Sequence, residues 1–594
     1  MSEAPESILH RVFGFSGFRG VQQQVVDRVM AGLPTLAVMP TGAGKSLCYQ
    51  LPALARDGTA LVISPLIALM HDQIRAAETM GIRAASLTSA DSDRERTSER
   101  FRAGELDLLY VAPERATTAG FERLLDGARL ALVAIDEAHC VSEWGHDFRP
   151  DYRLLRPLLD ARPDVPRLAL TATADARTRA DILAQLGIPA DGLVIAGFDR
   201  PNIRYHIRPR DGVGAQLTQL LADQPGPGIV YAPSRDKAER LAEQLAATGR
   251  PALPYHAGLD AGVRARNQAA FVASEEMVMV ATVAFGMGID KPDVRFVAHA
   301  GIPKSIEAFY QETGRAGRDG DPAEAWLFWG AEDFALARRR IEQEVEPDRR
   351  PAERERLNAL AALVEASSCR RAILLRHFGE SPPEACGNCD NCIDPPATID
   401  ATEVARKLLS AAFRTEMRFG VAHLAEVLAG NDSEKVRNFG HHRLSVFGIA
   451  SADELALVRP VARALIARDA LRSDAYGGLS FGPSARPILK GEEQLTIAVP
   501  PPRRRRSRSR SDGPADPMFE ALRAVRRDLA AAAGVPPYVV FHDSTLRGIA
   551  EARPRTLAEL ARIQGVGEAK LLRYGDRMLA AVAAHEESQH VARA

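Results

Sequence analysis

Between Pro34 and Phe328, eight short apolar runs recur: TLAVMP, ALVISP, DLLYVAP, LALVAIDEAH, RLALTATA, GIVYAPS, MVMVATVAFG and RFVAHAG. Segments of helical period separate them. Runs of roughly four to eight apolar residues, bounded by turn or helix-start residues, read as parallel strands buried on both faces in repeated βα units. That pattern predicts an α/β chain with two doubly wound sheets. The segment FDRPNIRYHIRPRDG, residues 198–212, interrupts the alternation with Pro and Gly and marks the break between them.

Beyond Arg338 the strands stop. Charged helical sequence leads into a cysteine cluster, and residues 400–490 read as a small α/β module closed by the hairpin candidate LRSDAYGGLSFG, with Gly477 and Gly478 at its turn. An Arg/Ser/Pro tract follows and then a compact helical tail. The length of 594 residues suggests about four folding units, and 46% apolar residues exclude a disordered chain.

The loop MPTGAGKS, residues 39–46, lies between the strand TLAV and the helical SLCYQLPALA, the context a phosphate-binding loop requires. Gly42 and Gly44 let backbone amides approach phosphate. Lys45 reaches the β and γ oxygens, and Ser46 offers a hydroxyl to Mg²⁺. Met39 stands where the motif has its first Gly. Lys45 is one of only eight lysines, so a compact ammonium is kept there in a chain that otherwise uses Arg.

Asp136 and Glu137 end the strand LALVAI, placing two carboxylates at the strand edge where an open α/β sheet binds ligands. Asp136 fits as the Mg²⁺ partner and Glu137 as the base activating water. In YQETGRAGRDG, residues 310–320, Arg315 and Arg318 are spaced to share a helical face and to offer two guanidiniums to a developing phosphate charge.

Taken alone the formal charge of −1 argues against a polyanion partner, yet it averages a tract of six Arg in residues 503–510 against an excess of acid elsewhere. Four of six Cys crowd into Cys369, Cys386, Cys389 and Cys392, the spacing C-x16-C-x2-C-x2-C. A full Cys₄ set indicates a structural zinc ion, with iron–sulfur ligation as the alternative. No run approaches the ~20 apolar residues of a membrane span, and no secretory leader is evident, so a reducing cytoplasm is expected.

FGFSGFRGVQQQ, MPTGAGKS, ISPLIALMHDQ, AIDEAHCVSEWGHDFRP, LTATA, YHAGL, ATVAFGMGIDKP and YQETGRAGRDG, taken in order, resemble the motif series of RecQ-type DNA helicases of superfamily 2. The run CVSEWGHDFRP and the four cysteines narrow the resemblance to RecQ. It implies two RecA-like lobes, 1–207 and 208–340, then a zinc segment, 341–399, a winged-helix (RQC) domain, 400–500, an Arg-rich linker, 501–514, and an HRDC domain, 515–594.

ATP in the cleft between the lobes would drive 3′ to 5′ movement on single-stranded DNA and unwinding of forked duplexes in recombination and repair. Gln22 would bind the adenine edge, Arg19 would support it and Phe15 would stack on the base, although the family's FRPGQ reads FRGVQ here. Thr41, Gly42, Ala43, Gly44, Lys45 and Ser46 would hold the phosphates. Gln311, Arg315 and Arg318 would be the second lobe's contacts. Trp144, His146, Phe148 and Arg149 would couple DNA occupancy to hydrolysis through base stacking and phosphate contact.

The resemblance also implies single-strand-binding protein as a partner and a place on the nucleoid. The turn at Gly565-Val566-Gly567 offers amides to a phosphate. An RNA-dependent ATPase, or a zinc-containing DNA-binding regulator with a vestigial nucleotide site, are the alternatives that the residues leave open.

Overall fold

A computed structural model describes residues 3–593 apart from 66, 89–90, 92, 143–147, 286–290, 474–477 and 500–515. The first lobe is a seven-stranded parallel sheet in the order Ala84–Leu87, Leu108–Val111, Thr59–Ile63, Leu130–Ile135, Arg167–Thr171, Thr35–Val38, Leu193–Ile195. Successive residues of a strand point to opposite faces. Leu36, Val38, Leu61 and Ile63 therefore pack with Phe121 and Tyr152 on one face, while Ala37, Ala60 and Val62 meet Val25, Val29 and Leu51 on the other. Each fully buried aliphatic side chain contributes about 1.5–3 kcal/mol, which is why the central strands read as unbroken apolar runs.

The second lobe is a six-stranded parallel sheet in the order Ala252–Tyr255, Val278–Ala281, Gly228–Tyr231, Phe296–His299, Ala323–Trp329, Ile203–Pro209. The expected division at 207/208 falls inside its edge strand Ile203–Pro209, so this lobe begins before Ile203. The segment reads as a break because its apolar side chains alternate with polar ones: Ile203, Tyr205 and Ile207 enter the core, His206 is buried against Trp326, and Arg204 and Arg208 are half-buried.

The zinc segment covers that edge. Asp390 Oδ2 accepts the Ile207 amide at 2.8 Å, and Tyr205 pairs with Cys389 in a single parallel bridge. Its expected start at 341 lies within the helix Ala331–Glu344, and its expected end at 399 within the strand Ala397–Asp400, which pairs antiparallel with Thr496–Val499 of the next module. That module packs the helices Thr402–Arg414, Val421–Ala429 and Ala452–Ala467 around Leu408, Leu424 and Leu465. Its hairpin forms between Leu471–Ser473 and Leu479–Phe481, while Tyr476 and Gly477 at the turn, like the Arg-rich tract, lie outside the described residues.

The tail is a helical unit from Pro517 to Arg593 with its own core of Leu522, Phe541, Ile549 and Met578. It is docked on the two lobes. Glu275 of the second lobe accepts Arg523 at 2.7 Å and Arg526 at 2.6 Å, and Arg547 pairs with Asp321. No helix among the described residues is long and apolar enough to cross a membrane.

Candidate active site and metal centre

Three adjacent strands deliver the first half of the site. Met39 N donates to Thr171 O at 2.9 Å and Asp136 N to Ile63 O at 2.8 Å, so the phosphate-binding loop, the acidic turn and the LTATA turn emerge side by side. Gly42 and Gly44 have φ of 85° and 76°, the left-handed region that glycine adopts without strain. A Cβ on Gly44 would stand 2.5 Å from Gln22 Nε2. Lys45 Nζ donates to Met39 O at 3.2 Å, folding back along the loop as far as the carbonyl that precedes it.

Gln22 is buried and fixed at both ends. Its Nε2 donates to Ala43 O at 2.8 Å, and its Oε1 accepts the Arg19 amide at 2.9 Å. The Arg19 guanidinium lies 5.7 Å from the centroid of the Phe15 ring. The substituted loop FRGVQ thus still brings Phe15, Arg19 and Gln22 together beside the phosphate-binding loop.

Glu137 has φ 49° and ψ 46°, a left-handed conformation that costs a non-glycine residue on the order of 1–3 kcal/mol. The turn Ala138–Val141 holds it, with Cys140 N donating to Glu137 O at 2.9 Å. His139 Nδ1 lies 3.2 Å from Glu137 Oε2 and 3.0 Å from Thr171 Oγ1, linking the acidic turn to LTATA. Burial and the neighbouring Glu137 charge push the Asp136 carboxyl up to about 7, against the pull of Lys45. Tyr152 OH donates to Asp136 O at 3.0 Å.

Of the expected DNA-coupling residues, Trp144 and His146 lie outside the described residues. Phe148 carries the Arg153 guanidinium 5.2 Å from its ring centroid. Arg149 Nη1 donates to Pro65 O at 3.0 Å, tying the segment to the end of a neighbouring strand.

The second lobe's arginines are not on one helical turn. The helix Ile306–Thr313 carries Gln311 and is capped by Ser305, but it ends before Gly314, and Arg315 and Arg318 follow in successive turns. Gly317 at φ 56° reverses the chain between them. Arg315 is only 4% exposed and lies beside Tyr231, whose hydroxyl burial pushes up to about 12 against the pull of the Arg315 charge. Arg318 stands over the phosphate-binding loop, its Cα 3.3 Å from where a Cβ on Gly42 would be. Sequence reasoning missed Arg200, which joins the same two loops; the interruption FDRPN, which marks the break between the two sheets, was the only signal.

The four cysteine sulfurs lie within 4.8 Å of one another, with Cys386 to Cys392 at 3.9 Å and Cys369 to Cys389 at 4.0 Å. Disulfides need about 2.05 Å. A tetrahedron with metal–sulfur bonds of about 2.3 Å has edges of about 3.8 Å, so the four thiols fit zinc as they stand. The amides of Ala372 and Asn388 donate to Cys369 and Cys386 sulfurs at 3.4 and 3.3 Å, which favours thiolates. In the tail, the expected phosphate-facing turn has another partner: Gly565 N donates to Gly14 O at 2.9 Å.

Models of known families match this chain in sequence order. They are the DEAD/DEAH box helicase over residues 19–182, the helicase conserved C-terminal domain over 213–320, the RecQ zinc-binding domain over 331–393, the RQC domain over 395–506 and the HRDC domain over 516–582. The chain is 41% identical to an ATP-dependent DNA helicase RecQ of Haemophilus influenzae, over 98% of this chain and 96% of that one. It is 40% identical to the RecQ of Bacillus subtilis, over 98% and 99%. With five domain models in order and relatives aligned from end to end, this chain belongs to the RecQ family of ATP-dependent DNA helicases.

Proposed function

We propose that this RecQ-family helicase hydrolyses ATP in the cleft between its lobes to move 3′ to 5′ along single-stranded DNA and unwind forked duplexes. The observation that carries the reading is the apposition of Arg318 to Gly42, which sets the second lobe's arginine loop against the phosphate-binding loop of the first.

Phe15 and Arg19 receive the base, and Gln22 reads its edge from a position already bonded to the phosphate-binding loop. The amides of residues 41–44 and the Lys45 ammonium hold the phosphates. Asp136 and Ser46 form an oxygen-only donor set of the kind Mg²⁺ takes. A Mg²⁺ ion held by Asp136 and Ser46 would supply positive charge to offset that of the phosphates. Glu137 orients the attacking water and takes its proton, with His139 beside it to hold the carboxylate. Gln311, Arg315 and Arg318 complete the site, and an arginine in this role is worth about 10³–10⁵ in rate.

Trp144, His146, Phe148 and Arg149 link DNA occupancy to the acidic turn, since Arg149 N is bonded to Cys140 O within it at 2.9 Å. A zinc ion held by Cys369, Cys386, Cys389 and Cys392 would fix the cysteine segment against the second lobe. Single-strand-binding protein as a partner, and a location on the nucleoid, extend the same reading.

Unwinding of DNA forks with a 3′ or a 5′ tail, and of an RNA fork, by the wild type and Lys45→Ala tests it. Activity on the 3′-tailed DNA that Lys45→Ala abolishes is expected. Equal activity of the two proteins, a 5′ preference or an RNA preference overturns it.

A further inference from the structure

Arg200 lies in the short link between the lobes, and its guanidinium bonds to both sides of the cleft. Nη1 donates to Thr41 O at 2.6 Å in the phosphate-binding loop and to Gly314 O at 3.1 Å. Nη2 donates to Ala316 O at 3.0 Å and to Gly317 O at 2.9 Å, so it holds the loop that carries Arg315 and Arg318. All four acceptors are backbone carbonyls, and those of Gly314 and Ala316 flank Arg315. A planar group with five donors in a rigid fork can satisfy four such carbonyls at once, and an ammonium cannot.

The link is itself held from behind. Asn388 Nδ2, in the loop between Cys386 and Cys389, donates to Pro201 O at 3.0 Å, and Arg371 Nη2 donates to Ile203 O at 2.6 Å. Burial of the guanidinium among these carbonyls pulls Arg200 below its ordinary value, the cost of a charge used to fix loops.

We propose that Arg200 is a positioning residue for ATP hydrolysis: it sets the separation between the phosphate-binding loop and the arginine loop, and the zinc segment anchors its backbone. The proposal rests on the reading of the cleft as the site of ATP hydrolysis. Arg200 acts through Thr41 and the 314–317 carbonyls and touches no reacting atom. Its loss removes one bond to the phosphate-binding loop and three to the 314–317 loop, so both loops loosen and Arg318 is displaced more than the nucleotide-binding groups of the first lobe.

The test uses the full-length, zinc-loaded protein and its Arg200→Ala, Arg200→Lys and Arg318→Ala variants, together with the Arg200→Ala/Arg318→Ala double variant. DNA-stimulated kcat, equilibrium binding of a non-hydrolysable ATP analogue and amide hydrogen exchange of residues 39–44 and 314–318 are measured. Arg200→Ala is expected to lower kcat by roughly 30-fold or more while analogue affinity stays within about threefold. Arg200→Lys recovers little, the double variant is no slower than Arg318→Ala, and exchange rises in both loops.

Unchanged exchange, unchanged kcat, multiplicative losses in the double variant, or an equal loss of analogue affinity overturns the proposal. A wild type without ATPase activity overturns the functional reading instead, while the exchange comparison still decides whether Arg200 holds the loops.

Discussion

The amide of Gly565 donates to the carbonyl of Gly14 at 2.9 Å, fastening the last domain of the chain one residue before Phe15. The contact is close on both sides: a Cβ on Gly14 would stand 2.7 Å from Gly567 N, and one on Gly567 would stand 2.5 Å from Val12 O. The tail thereby touches the first lobe beside Phe15 while its arginines grip Glu275 of the second.

Glu275→Ala releases that grip. Arg526, 3% exposed, keeps Asp543 but loses its partner across the interface, and breaking a buried pair costs about 3–5 kcal/mol. The variant is expected to show a larger radius of gyration by small-angle scattering. Wild type at about 1 M salt, where the Debye length falls to about 3 Å, should move in the same direction. A radius unchanged under both conditions would show that contacts other than the Glu275 ion pairs, the Gly14–Gly565 bond among them, hold the tail.

Gln22→Ala removes the side chain that joins Arg19 to the phosphate-binding loop. Each buried hydrogen bond is worth about 0.5–1.5 kcal/mol, and at least two are lost, so KM for ATP should rise roughly tenfold. If Gln22 reads the base edge as proposed, discrimination against GTP should fall with it. Steady-state hydrolysis with the two nucleotides measures both effects.

The purified chain should contain one zinc and no iron by metal analysis. Cys389→Ser removes a ligand whose backbone bridges to Tyr205, and stripping the metal frees all four thiols next to that edge strand. Structural zinc supplies folding free energy directly. A lower Tm and new protease cleavage within residues 366–394 are expected from either treatment, and an unaltered melting curve would count against a structural role.

Glu307 gives the molecule an acid-labile contact. Burial alone would raise its carboxyl, but the hydrogen bond with His377 at 2.6 Å and the charge of that imidazole overrule it and hold the carboxyl at about 2. A folded pKa below the unfolded value near 4.5 means that the pair stabilises the fold above that pH and loses its effect as pH falls towards 2. The contribution is about 3 kcal/mol at most. Glu307→Gln should therefore melt well below wild type near pH 6, with the gap narrowing below about pH 4.5 and closing only as pH falls to about 2. A gap independent of pH would refute the assignment.

Of the thirteen strands in the two parallel sheets, the eight legible as apolar runs include every central strand except Ala323–Trp329. The unread ones are otherwise the four edges, Ala84–Leu87, Leu193–Ile195, Ala252–Tyr255 and Ile203–Pro209. A central strand must be apolar because neighbours and helices enclose it, whereas an edge strand answers to whatever covers its open side. Ile203–Pro209 carries Arg204, His206 and Arg208 between its core residues, and the zinc segment meets that edge.

The same division runs through the site. Loop 39–46, the pair Asp136-Glu137 and the closely spaced Cys386, Cys389 and Cys392 were written in the sequence, because each is a local spacing that local backbone geometry turns into a cluster of donors. Arg200 was not legible, and its partner Thr41 lies 159 residues away. Nor was the use of the Gly565 amide to hold Gly14, or the separation of Arg315 and Arg318 into a buried and a partly exposed position. Spacing along the chain fixes what a turn or a strand end presents. Only the packing of one lobe, the link and the tail against the other decides which carbonyl a guanidinium or an amide will meet.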